Sequence, residues 1–515
     1  MFNSRPVFHS PQRIYHMKAV CGGGKSYAML KHIREDTEGG FIYAVPTIAL
    51  ADEIEKQWRK ESAASSDESL RAGELTVIHS RRTPMESAAD RRRAIAEILL
   101  NPFAKNTVLI THELLLGDLF DPRFRLGELI GRWHIIIDED PEIVTAPGFQ
   151  DNRNVYTDLG EIVGPQCIGS GFSVVEVSTE QRERVRDIAT SSNDETRLDE
   201  NVRALCTAIS DDKDCTLMAA PSQQGFLYYL ARAKPLAEIV AKAGRVTILA
   251  SHITGLTRLY LNKCGIEICD SEIRPAYSSY PTESQGRITV WRVWDRGNMS
   301  KDRLIQYGVT TLLTRVADQL STAGDDSNFL LRANNVWHQE ARKHARVHDV
   351  VSKVTKGLNG YGNLTAMVDI ASYNRNSLYG NAYGLMDQLL EVGSGTWQAA
   401  VEETHAELSA QAAFRIGIRR IHDSRNVGRY SIVLPDRRTE DFVRATYLPD
   451  AIYRGAILDD GRQGKSPGRP TGVASDTAQK VAEVTRLIQG GARKSSACAE
   501  AGLSRPTYDK YCDRL

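Results

Sequence analysis

Short apolar runs with strand character alternate with longer helical stretches from the start of the chain. The runs are "RIYHMKAV", "GFIYAVP", "LTVIHS", "NTVLITH" and "WHIIIDED", with "TIALADEIEKQWRKE" and "ESAADRRRAIAEILL" between them. Strands that alternate with helices imply a parallel sheet covered by helices on both faces. After a differently composed stretch, the strand "RVTILAS" resumes the pattern. A second series follows in "RITVWRVW", "NFLLRANN", "TAMVDIASYN" and "YSIVLPD". The fold class expected is therefore α/β, with two parallel-sheet lobes. The boundaries read as residues 1–260 for lobe 1, with an insertion at about 145–245, and 285–450 for lobe 2. A linker then covers 451–472, and a small all-α segment covers 473–515.

A length of 515 residues suits about three domains. Lys plus Arg and Asp plus Glu both number 65, so any surface that attracts polyanions must be local. No apolar run approaches the ~18 residues of a membrane span. The opening "MFNSRPVFHSPQRIYH" lacks the apolar core of a signal peptide. A cytoplasmic protein without membrane contact is the expectation. The eight cysteines form no CxxC pair, which argues against a zinc site or a disulfide framework.

Residues 18–29 read "KAVCGGGKSYAM". Gly22, Gly23 and Gly24 allow backbone N–H groups to turn onto phosphate oxygens. Lys25 would then reach the β- and γ-phosphates of ATP, with the Ser26 hydroxyl on Mg²⁺. A helix beginning near Ser26 adds its N-terminal dipole. The bland alternative is a glycine-rich turn that happens to hold a lysine. A second signal stands about 110 residues on, where "WHIIIDEDPEIV" puts Asp138 and Glu139 at the C-terminal end of a strand, the edge where parallel sheets bind ligands. Asp138 would hold Mg²⁺ through water, and Glu139 would orient or activate the attacking water.

Together these motifs resemble superfamily-two helicases and translocases, which carry two RecA-like P-loop lobes. The likeness covers roughly residues 12–440. "AVCGGGKS" resembles motif I, with Ala19 in its first position, and "YAVPTIALADEI" resembles motif Ia, with Thr47 facing a DNA backbone. "VLITHELLL" resembles motif Ib, with Thr111 and His112 in the same role. "TILASHITGL" resembles motif III through Ser251 and Thr254, "GLNGYGNLTAMVDIASYN" resembles motif V, and "QAAFRIGIRR" resembles motif VI. The resemblance implies that Gln411, Arg415 and Arg419 face the γ-phosphate from lobe 2, and that single-stranded DNA occupies the motor cleft. Two departures stand out. "DEDP" matches neither DEAD nor DEAH, and the motif VI arginines are four apart rather than three. A spacing of four would still put both on one helical face.

From residue 461 the composition shifts to "GRQGKSPGRPTGVASD", and the last 55 residues hold 10 Lys/Arg against 5 Asp/Glu. The apolar spacing predicts helices at about 477–489 and 493–501, then a third with Ser504 as its N-cap and Pro506 in its first turn. This helix-turn-helix layout resembles the DNA-binding domain of serine recombinases, including a "GRP" arm at Arg469 of the kind that enters a minor groove. Arg505, Thr507, Tyr508 and Lys510 are the expected duplex contacts. A protein-docking module is the alternative. The combined reading is an ATP-dependent DNA helicase or translocase with a site-recognition domain, suited to replication initiation on a phage or plasmid, with replication proteins as further partners. A regulatory ATPase switch and a restriction-type translocase are the rivals.

Overall fold

The computed structural model describes residues 12–36, 39–64, 74–79, 88–101, 106–118, 128–141, 144–145, 148–150, 173–175, 177–190, 206, 209, 216–222, 225–233, 236–352, 360–372, 387, 391–423, 425–458, 475–490, 492, 494–504 and 508. It divides into two compact units, 1–459 and 460–515.

Lobe 1 begins with β1 (Gln12–Lys18), α1 (Lys25–Glu35), β2 (Gly40–Val45), α2 (Ile48–Ala64), β3 (Glu74–Val77), α3 (Ala88–Leu100), β4 (Asn106–Thr111) and β5 (Trp133–Asp138). An insertion follows, made of β6 (Val144–Thr145), β7 (Gly148–Gln150), β8 (Ser173–Val175), α4 (Thr179–Thr190), β9 (Thr216–Ser222) and β10 (Gly225–Ala233). Its strands form a separate antiparallel sheet, where the sequence leads one to expect a break in the pattern. The lobe is completed by α5 (Leu236–Lys242), β11 (Arg245–Ala250), α6 (Gly255–Lys263) and β12 (Ile266–Asp270). The main sheet runs β12-β1-β11-β5-β2-β4-β3, parallel throughout. Alternate residues of "IIID" face opposite layers. Ile135 and Ile137 join a core with Ile95 and Leu99 of α3, while Ile136 packs with Met29 and Leu30 of α1 and Ile54 of α2.

Lobe 2 comprises β13 (Ile288–Trp294), α7 (Lys301–Tyr307), α8 (Val309–Thr322), β14 (Phe329–Arg332), β15 (Val347–Val351), β16 (Ala366–Asp369), α9 (Thr396–Ala413), β17 (Tyr430–Leu434), α10 (Arg437–Thr446) and β18 (Ile452–Leu458). Its sheet runs β15-β14-β16-β17-β13-β18, again parallel. Leu312, Leu313, Val316 and Leu320 make the buried stripe of α8, the 3–4 spacing of an amphipathic helix. Caps set the starts of two helices: Ser300 Oγ accepts from Arg303 N–H at α7, and Asp436 does the same for Thr439 at α10.

Two boundaries differ from the sequence reading. β12 carries lobe 1 on to Asp270, past the expected limit of 260. Residues 452–458, expected in the linker, are an edge strand of the lobe 2 sheet paired with β13. The unit 460–515 contains α11 (Ser475–Gln489) and α12 (Lys494–Glu500), around Val481, Val484, Ala497, Cys498 and Tyr508. Most of the third helix expected from Ser504 lies outside the described residues. Among the described residues, no helix is long and apolar enough to cross a membrane.

Candidate nucleotide site

The C-terminal edge of the lobe 1 sheet gathers the loop after β1, the acidic turn after β5 and the segment after β11. Gly22 and Gly24 have φ of 79° and 83°, the left-handed region that glycine occupies at little cost. Crowding adds a second constraint. A Cβ on Gly22 would stand 2.4 Å from the Arg419 carbonyl oxygen, and one on Gly23 would stand 2.4 Å from that of Tyr277. The helix begins at Lys25, so the first turn of α1 points at the loop's concavity. Lys25 Nζ donates to the carbonyls of Ala19 (3.0 Å) and Val20 (3.3 Å).

Ser26 Oγ donates to Asp138 Oδ2 at 2.9 Å, and the buried Tyr43 hydroxyl donates to the same oxygen at 2.8 Å. Burial, then the neighbouring Glu139 charge, push the Asp138 carboxyl up to about 6, against the pull of both hydroxyls and Lys25. A buried carboxylate beside a serine hydroxyl is a hard-oxygen donor pair that fits Mg²⁺. Among the described residues, no group of three or more His, Cys, Asp or Glu could hold a metal. A cation here would therefore rely on Ser26, Asp138, phosphate and water.

Glu139 has φ of 67°, a region that costs a non-glycine residue about 1–3 kcal/mol. Its N–H donates to the Leu249 carbonyl, which pins the turn to β11. Its Oε1 accepts from Arg415 Nη2 of lobe 2 at 3.1 Å, while its buried Oε2 has no hydrogen-bond partner among the described residues. Arg419 lies in the same cleft, and burial, then Arg415, hold its pKa below the ordinary value. The cleft has a volume of about 240 Å³, and Gly22, Lys25, Asp138, Glu139, Gln411 and both arginines are among its lining.

The arginines reach the cleft by a different route from the one expected. α9 ends at Ala413, Ile416 is extended, and Gly417–Arg420 is a 3-10 turn. Arg415 and Arg419 therefore do not share a helical face. Past the helix end the Gly417 N–H bonds to the Leu364 carbonyl instead of continuing the ladder, at a position that admits only glycine, since a Cβ there would meet the Tyr430 ring at 2.8 Å.

Two features escaped the sequence reading. Asp140 of "DEDP" is buried, and its Oδ2 accepts from the Thr254 N–H (3.1 Å), Thr254 Oγ1 (2.5 Å) and Thr257 Oγ1 (3.1 Å). It caps α6 and so ties the acidic turn to the segment resembling motif III. The residues between the lobes cover the glycine loop. There the Tyr277 N–H donates to the Gly23 carbonyl and the Tyr280 hydroxyl to that of Cys21. The ring of Tyr277 stacks on His422 at 3.9 Å.

The expected nucleic-acid contacts fare unevenly. Thr47 and Thr111 stand at the ends of β2 and β4, on the same sheet edge as the glycine loop. Their hydroxyls accept from the N–H groups of Leu50 and Leu114. His112 is buried, so its ring does not present to a backbone as expected. Tyr508 is also a correction. Its side chain is buried in the core of its unit and its hydroxyl shares a hydrogen bond with Thr485, because its aromatic face completes a small apolar core. Arg469, Arg505, Thr507 and Lys510 lie outside the described residues.

No family model matches the chain, and no curated protein does. Among solved structures, it is similar to one titled XPD helicase (11% identity, 86% of this chain and 92% of that one, TM-score 0.38). It is also similar to S. tokodaii Xpd4 (10% identity, 83% and 98%, TM-score 0.38). A third is Mss116p bound to ssRNA and AMP-PNP (11% identity, 97% and 82%, TM-score 0.35).

Proposed function

We propose that the chain is an ATP-hydrolysing nucleic-acid motor, a DNA helicase or translocase whose 460–515 unit reads duplex sites. The observation that carries this reading is the Arg415–Glu139 pair. It brings a lobe 2 cation onto the lobe 1 carboxylate that stands next to the Ser26–Asp138 pair. A site divided between two lobes couples nucleotide state to the distance between them, which a motor needs and a simple hydrolase does not.

In this reading the glycine loop and Lys25 bind the β- and γ-phosphates, with Lys25 leaving its loop carbonyls for the phosphate oxygens. Ser26 and Asp138 would hold Mg²⁺, which would supply charge neutralisation on the phosphates. Glu139 Oε2 orients water for attack on the γ-phosphorus and takes the proton the water gives up. As that bond forms, the bond to the β-phosphate oxygen breaks and ADP leaves. Arg415 and Arg419 offset the charge gathering on the transferred group. When the phosphate departs, the lobes lose their shared anion and separate. A cleft cycling in this way along a phosphate backbone grips it independently of sequence. The basic tail supplies the address, which suits replication initiation on a mobile element.

Lys25→Ala tests the assignment. Removing the fixed counter-charge should lower DNA-stimulated ATP turnover at least 100-fold, measured as phosphate release. Turnover near that of the wild type would overturn the ATP-site reading.

A further inference from the structure

Helix α9 carries Glu403, Glu407 and Gln411 at intervals of four, on one face. That face meets the 251–258 segment of lobe 1. Glu407 is fully buried. Its Oε1 accepts from Ser251 Oγ of lobe 1 (3.0 Å) and from Gln411 Nε2 (3.1 Å), and its Oε2 accepts from the Tyr447 hydroxyl (2.5 Å). Glu403 accepts from His252 and from Arg258 Nη2 (2.5 Å). The backbones come close at this point: a Cβ on Gly255 would lie 2.7 Å from Ala400 Cα.

Ser251 and Gln411 both line the nucleotide cleft, and Arg415 follows Gln411 by four residues. A buried carboxylate whose donors among the described residues are all neutral is a costly way to fill space. An apolar residue would fill it without demanding a geometry. Glu407 demands one, since its three donors come from lobe 1, from its own helix and from a second lobe 2 element. We propose that Glu407 is a positioning residue that docks α9 onto Ser251, and thereby sets Gln411 and Arg415 against Glu139. This builds on the reading of the cleft as an ATP site.

Two measurements on the full chain separate the two ideas. Amide hydrogen exchange without nucleotide reads the docking alone. Glu407→Ala should speed exchange at least tenfold in 251–258 and 408–420, and leave 25–35 and 309–322 unchanged. Ser251→Ala, which keeps the carboxylate and two donors, should speed exchange in 408–420. This variant decides the matter if the first unfolds. In steady-state ATP hydrolysis, Glu407→Ala should lower kcat at least tenfold and move KM for ATP less than threefold. Glu407→Gln, isosteric and still an acceptor, should recover most of that loss. Unchanged exchange in 408–420 for Ser251→Ala would overturn the proposal, as would a Glu407→Gln no better than Glu407→Ala. If the wild type hydrolyses no ATP, the functional reading falls, and exchange alone still decides the docking.

Discussion

Glu139 holds its left-handed backbone because the Leu249 carbonyl and Arg415 fix it from two sides. A residue kept in a strained conformation beside a phosphate-type loop invites a direct test. Glu139→Gln keeps the shape and the bond to β11 but removes the charge that orients water. ATP binding should persist through Lys25, Ser26 and Asp138, while hydrolysis slows by roughly 10²–10⁴. The nucleotide-bound state should then accumulate and grip single-stranded DNA more tightly. Fluorescent-nucleotide titration beside phosphate release checks this. Loss of binding would mean that Glu139 serves the fold rather than the chemistry. The grouping of Gly22 to Ser26 with Asp138 and Glu139 was legible because a local order of residue types marks them, and the fold brings them to one cleft. Asp140 and Glu407 were not. Their partners lie 114 and 156 positions away, and nothing in "EDP" or "HAELS" distinguishes a cap or a dock from a solvated acid.

At the scale of elements, the strands that sequence revealed are mostly those with neighbours on both sides. "WHIIID" and "RVTILA" are covered by strands and helices on every side, so they read as apolar runs. In the two lobe sheets the strands left unread are β12, β15 and β18, and each is a sheet edge. Edges carry polar and charged residues to discourage further pairing, as in "IEICD" and "VHDVV", and β18 also holds Gly455 at φ 95°. Central strands can hide other groups. His16 in β1 bonds the Ala250 carbonyl, and burial, the largest cause, takes its pKa down to about 4. The folded chain therefore resists taking a proton that the unfolded chain accepts near 6.5. This contribution is neutral above that pH, and destabilisation grows as pH falls from 6.5 towards 4, to roughly 3 kcal/mol. His16→Gln retains a donor without the titration. Urea unfolding of both forms at pH 7.5 and 4.5 should show a smaller loss for the variant, and equal losses would contradict the burial argument.

For the whole molecule, the two compact units allow a clean cut. Deleting 460–515 removes none of the residues lining the nucleotide cleft. Hydrolysis stimulated by generic single-stranded DNA should survive, and preference for a particular duplex should disappear. Selection from random duplexes with and without the unit checks both, and retained preference would place site reading in the lobes. The order of β1 in its sheet has a consequence for synthesis. β1 is made before its sheet neighbours, yet it lies between β11 and β12, with Tyr15 opposite Thr247 and Ile14 opposite Ile268. Lobe 2 repeats the arrangement, with β13 between β17 and β18. At ~5–20 residues per second on the ribosome, the first strand waits on the order of tens of seconds for its neighbours. During that time its apolar edge-on surface is open to chaperones and to other nascent chains, the hazard of long-range parallel pairing. A chain halted before β12 would carry the letters of the glycine loop without the frame that bends them into one.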